Sequence, residues 1–112
     1  MIRIIKATDS SMTVTFTKDS AVFDITGYTL FFTVKKPADA EKGSDDDAII
    51  KKTVTTHTDP TAGISTITLS NSDTNIDAGN YLWDIKLLKE TIVSATYSDY
   101  LEIVQNITVR KA

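Results

Sequence analysis

Polar and apolar residues alternate one for one in several short stretches of this chain, and they rarely recur at helical spacing. In "MTVTFT", Met12, Val14 and Phe16 fall on one face and Thr13, Thr15 and Thr17 on the other, the period of a half-buried strand. In "YTLFFTVK", Tyr28, Leu30, Phe32 and Val34 alternate with Thr29, Phe31, Thr33 and Lys35. Four inward residues therefore make a core strand, and Phe31 is a core-type side chain left on the outer face. "NYLWDIKLL" repeats the pattern, with Tyr81, Trp83, Ile85 and Leu87 set against Leu82, Asp84, Lys86 and Leu88. Trp83 is expected to anchor the core.

Weaker signals complete the set. "IIKKTVT" and "STITL" read as short strands, the second with Ile67 and Leu69 on one face. "IVSATYSDYLEIV" reads as a long closing strand that continues, past a bulge near Gln105-Asn106, into "ITVRK". Residues 1–11 form an N-terminal strand or arm in which Ile2, Ile4 and Ile5 cannot all face one way.

Turn signals separate these runs. Asp24-Ile25-Thr26-Gly27 is a turn with glycine supplying backbone freedom, and Asp59-Pro60 and Gly63 mark two more. Residues 36–47, with Pro37, Gly43 and Asp45-Asp46-Asp47, read as one long polar loop. Ser70 and Asp73 have capping-box spacing, but no amphipathic stretch follows, so one short helical turn is expected at most. Lys89-Glu90 turns the last hairpin without glycine, which suggests a loop longer than two residues. About seven strands in a single domain spanning 1–112 predict an all-β fold, an antiparallel β-sandwich of immunoglobulin-like kind. The two cysteines that bracket the tryptophan of antibody domains are absent.

Charge and composition then narrow the partners. The net charge of −3 and the scattered lysines and arginines give no cationic footprint for nucleic acid. No apolar run reaches the ~18 residues of a membrane span, and the apolar part of "MIRIIKATDSS" is short for a signal peptide. Without cysteine there is neither disulfide nor thiolate metal site.

Catalytic chemistry finds little to stand on. His57 is the only histidine, lies between two threonines before a proline turn, and reads as a solvated loop residue. Three consecutive aspartates point in different directions and lack the alternate spacing of a calcium loop. Asp73 and Asp59 have structural explanations at a turn start and before Pro60, and Asp77 stands four residues beyond Asp73. Among the acids, Asp84 and Glu102 fall well inside strands, both outward. No glycine-rich phosphate cradle exists. The reading is of a protein without enzyme activity and without cofactor or metal.

The outward apolar residues carry more. Phe31, Leu82, Leu88, Tyr100 and Val104 lie off the core face, with Leu82 expected as a sheet neighbour of Phe31. Grouped on one sheet they would form an interface, joined by Ile2 and Ile4 if the N-terminal arm adds an edge strand across the junction.

The order of motifs resembles the N-terminal domain of phage baseplate upper proteins and related small virion domains. The residues that carry the resemblance are the Asp24-to-Gly27 turn, Asp59 to Gly63, Leu69-Ser70, Ala78 to Tyr81 and Trp83 to Leu87, spread from about Val14 to Arg110. Trp83 stands where that group more often has tyrosine, and Lys89-Glu90 replaces a glycine-bearing hairpin. The chain also ends where the larger proteins continue, so direct host binding is not expected. The resemblance implies a structural protein of the virion, made in the host cytoplasm and placed at the baseplate, tail, neck or capsid surface. It implies a homo-oligomer, trimer or hexamer, docked to other virion proteins, and no enzyme activity or cofactor. The alternative is a carbohydrate- or receptor-binding module of the same fold, using Tyr97, Tyr100 or loop 36–47.

Overall fold

The clearest alternating stretches become the middle of one sheet. The structure, a computed structural model, describes residues 2–39, 48–90 and 92–105. Its strands are β1 (Ile2–Ile5), β2 (Ser10–Thr15), β3 (Thr17–Lys18), β4 (Ala21–Val22), β5 (Thr29–Lys35), β6 (Ile50–Val54), β7 (Ile64–Leu69), β8 (Gly79–Lys89) and β9 (Ile92–Val104). Five of them form a sheet in the order β1-β9-β8-β5-β6. β2 pairs with β7 in a second, two-stranded layer, and β3 with β4 in a small ribbon.

The pairing is mixed, which corrects the all-antiparallel expectation. Along β6, β5, β8 and β9 each pairing is antiparallel, but β1 lies parallel to β9, Ile2 opposite Leu101 and Ile4 opposite Ile103. Parallel pairing is what lets the first strand close the sheet beside the last one without a hairpin.

Period-two alternation sorts the core as read from sequence along β5 and β8. Leu30, Phe32 and Val34 are buried, as are Tyr81, Trp83, Ile85 and Leu87, while Tyr28 is half-buried. Ile67 and Leu69 of β7 join the same cluster, with Met12 and Val14 of β2 packed against it. Phe32 and Trp83 meet at 5.8 Å between ring centroids, within the range of favourable aromatic pairs. Ile4 is also core, 5% exposed, and Ile2 packs partly against it. That removes Ile4 from the surface where an interface residue must lie, because its strand turns it, with Ile2, toward the second layer. Ile5 takes the outer side.

Two glycine turns set the approach to β5 and β7. The Asp24 carboxylate accepts from the Thr26 amide (2.9 Å) and hydroxyl (2.6 Å), and the Tyr28 amide donates to the Ile25 carbonyl at 3.0 Å. Gly27, third in that turn, has φ +82°, which favours glycine. After the 3-10 turn Pro60–Ala62, Gly63 has φ +74° and meets two other strands' ends. A side chain there would stand 2.5 Å from the Phe23 carbonyl oxygen and 2.7 Å from that of Phe16.

The Ser70–Asp73 box forms without a helix. The Asp73 carboxylate accepts from the Ser70 amide at 2.8 Å, and the Ser70 hydroxyl oxygen accepts from the Asp73 amide at 3.2 Å. Thr74, fully buried, donates its hydroxyl to the Thr8 carbonyl at 2.6 Å and ties this turn to the β1–β2 connection. The last hairpin is tighter than expected, since Lys89 already pairs with Ile92 and Glu90 adopts φ +56° in place of a glycine. Its pairing slips between Leu87 and Leu88. The bulge expected at Gln105-Asn106, the tail strand "ITVRK" and the three aspartates at 45–47 fall wholly or partly outside the described residues. Pro37–Asp39, at the start of the polar loop, makes a 3-10 turn.

Candidate interaction face

The outer face of the five-stranded sheet gathers four of the six residues expected at an interface. On β8 Leu82, Asp84, Lys86 and Leu88 project from it, the two charged residues exposed and the two leucines half-buried. Thr29, Phe31, Thr33 and Lys35 project beside them from β5. Phe31 is half-buried, not bare, and its direct partners are Lys86 on β8 and Thr53 on β6. Leu82 instead lies opposite Lys35 and Tyr100, so the expected Phe31–Leu82 contact does not form. The stems of lysine and the methyl groups of threonine can cover an aromatic ring in this way.

The face has a pattern of rows. At one end Leu82 sits between Lys35 and Tyr100, and at the other Leu88 sits between Thr29 and Val93. Between them lie Thr33 beside Asp84 and Phe31 beside Lys86, which together line a shallow hollow of about 240 Å³. Tyr100 is 58% exposed and Val93 50%. Val93 carries no local signal of its outward position. Counting by twos from buried Leu101 puts every odd residue of β9 inward, but the slip opposite Leu87 and Leu88 turns Val93 outward.

Lys35 and Asp84 of this face have interaction partners, and so do charges around it. Arg3 on β1 donates from Nε to Glu102 on β9 at 2.8 Å, on the same outer face. Asp99 lies inside β9 opposite Trp83, a third in-strand acid beyond the two expected, and the Tyr100 amide donating to it lowers its pKa. Lys52 reaches Asp73 at 2.7 Å and, with Ser70, holds that carboxyl below its ordinary range. Between the edges of β6 and β7 an open groove of about 350 Å³ is lined by Lys52, Val54 and threonines.

His57 is not a solvated loop residue. Its Nε2–H donates to the Tyr28 carbonyl at 2.7 Å, and Nδ1 is hydrogen-bonded to the Ser65 hydroxyl at 2.9 Å. Ser65 is fully buried, and the third member of the chain is a backbone carbonyl. The arrangement staples the loop after β6 to β7 and to the start of β5, and offers no exposed nucleophile. Among the described residues no three potential metal ligands come together.

Tyr81, at the start of β8, donates its hydroxyl to the Asp77 carbonyl four residues upstream at 2.6 Å, and burial raises its pKa.

No curated protein matches the sequence. A family model does: that of the BppU N-terminal domain matches residues 5–73, more than half of the chain. The match includes the Asp24–Gly27 turn, the Asp59–Gly63 turn and Leu69-Ser70, while the Ala78–Leu87 motif lies beyond it. The chain therefore belongs to the family of the BppU, or baseplate upper protein, N-terminal domain.

Proposed function

We propose that this chain is a non-enzymatic structural component of a phage or prophage particle, at the baseplate first and otherwise at the tail, neck or capsid surface. Family membership over residues 5–73 carries the reading. The protein works by binding: it self-associates, as a trimer or hexamer, and docks to other virion proteins. The outer face of the five-stranded sheet supports that role, because Tyr100 with Leu82 and Val93 with Leu88 place apolar surface at both of its ends.

The finer fold assignment, an immunoglobulin-like sandwich, has two supports. In chain order β2, β5, β6, β7, β8 and β9 occupy the places of strands B, C, C′, E, F and G, with B beside E and the order G-F-C-C′ in the other sheet. The Tyr81–Asp77 bond has the form of a tyrosine corner at the start of strand F. Two residues on, where antibody domains carry a cysteine, stands Trp83, packed on Phe32 of the C-like strand. The pair joins neighbouring strands of one sheet, so it packs beside that position and does not bridge the two sheets as the disulfide does.

Light scattering tests the binding role. Wild type should run as an oligomer, and Leu82→Lys or Phe31→Asp should shift it to smaller mass with an unchanged circular dichroism spectrum. A wild type that stays monomeric at high concentration while retaining affinity for glycans would favour the carbohydrate-binding alternative and defeat self-association.

A further inference from the structure

Along β8 the outer face complements itself when turned end for end: Leu82 is apolar, Asp84 acidic, Lys86 basic and Leu88 apolar, so reversal sets apolar on apolar and acid on base. The neighbouring strand extends the symmetry, with exposed Tyr100 beside Leu82 and exposed Val93 beside Leu88. We propose that this face is a contact between two copies of the chain, related by a two-fold axis that crosses the strands level with Ile85. The proposal rests on the self-association argued above and specifies its geometry.

Rotation about that axis lays β8 antiparallel over the partner's β8. Leu82 then faces the partner's Leu88, Asp84 faces the partner's Lys86, and Tyr100 faces the partner's Val93. Each contact occurs twice, as an isologous interface requires. Charge excludes the other in-plane axis, the one along the strands. It would set Asp84 against the partner's Asp84 and Lys86 against the partner's Lys86, and like charges across an interface oppose the pairing. The central hollow fits the same arrangement, since Phe31 on one of its rows comes opposite the partner's Thr33 on the other. A second copy is the partner this surface matches, because the row of apolar, acidic and basic groups, turned end for end, complements itself. A two-fold contact builds a dimer, or a hexamer made of three dimers; a cyclic trimer contains none.

Charge exchange tests the contact directly. Asp84→Lys alone and Lys86→Asp alone should each weaken assembly at least tenfold in sedimentation velocity, with folding checked by circular dichroism. An equimolar mixture of the two variants should recover wild-type mass. One chain then carries lysine at both positions and the other aspartate at both, so each of the two cross-axis contacts is attractive. The double exchange in one chain should recover it as well. If wild type assembles but the single variants keep its mass, or weaken without rescue on mixing, the two-fold contact is wrong and self-association stands on another surface. A wild type that never assembles overturns both.

Discussion

Replacing Gly63 by alanine should be among the most damaging single changes in the molecule, and Gly27→Ala is its control. Both glycines hold positive φ, +74° and +82°, so an alanine at either costs about 1–2 kcal/mol for the left-handed backbone. The surroundings differ. At Gly27 the nearest atom to a new methyl is Cε of Lys89 at 3.5 Å, the far end of a flexible side chain. At Gly63 the methyl would sit 2.5 Å from one backbone carbonyl oxygen and 2.7 Å from another, so the strand ends at Phe23 and Phe16 must move. Their movement strains the hydrogen bonds from the Phe16 amide to Gly63 (2.8 Å) and from the Phe23 amide to Phe16 (3.1 Å), each worth about 0.5–1.5 kcal/mol. The sum for Gly63→Ala is about 2–5 kcal/mol, against about 1–2 for Gly27→Ala. In a domain whose total stability is on the order of 5–15 kcal/mol, that approaches unfolding. Urea titration followed by the fluorescence of Trp83, the single tryptophan, measures both variants. Costs equal within about 0.5 kcal/mol would show that crowding at Gly63 is not what demands glycine there.

Three further changes probe other parts of the account. Trp83→Ala, which empties the Phe32 contact and removes the indole donor to the Tyr100 carbonyl (3.1 Å), should cost about 3–5 kcal/mol by circular dichroism melts; a shift of a degree or two would contradict its central place. His57→Ala removes the ring partner of the buried Ser65 hydroxyl and a donor to the Tyr28 carbonyl and should cost about 1–3 kcal/mol, whereas an unaffected urea midpoint would mean the staple is idle. The lowered pKa of Asp73, set first by Lys52, stabilises the fold above the ordinary carboxylate pKa of about 4 and is lost as pH falls through the lowered folded value. Asp73→Asn should therefore flatten the acid limb of stability measured from about pH 7 to about pH 3, and an unchanged slope would place the acid sensitivity elsewhere.

Local alternation made the faces legible and left the partners open. The period of two in "YTLFFTVK" and "NYLWDIKLL" assigned Leu30, Phe32, Trp83 and Leu87 inward because each side chain's direction depends only on its own strand. Which strands lie side by side depends on contacts far apart in sequence. Hence the parallel pairing of β1 with β9, and with it the burial of Ile4, carried no local signal. His57 escaped for the same reason, since its partners Tyr28 and Ser65 come from two other segments. On the outer face Phe31, Leu82, Leu88 and Tyr100 were visible as misplaced apolar residues. Val93 was hidden by a slip in register that reverses the parity of β9 before it reaches the turn.

The central claim is that this chain is built into a virion. Gold-labelled antibody on particles purified from the phage or prophage that encodes it, with mass spectrometry of the same particles, tests that claim most directly. The account predicts the intact chain in several copies per particle, with gold clustered at the baseplate end of the tail. Chain abundant in the host lysate but absent from purified particles would contradict it.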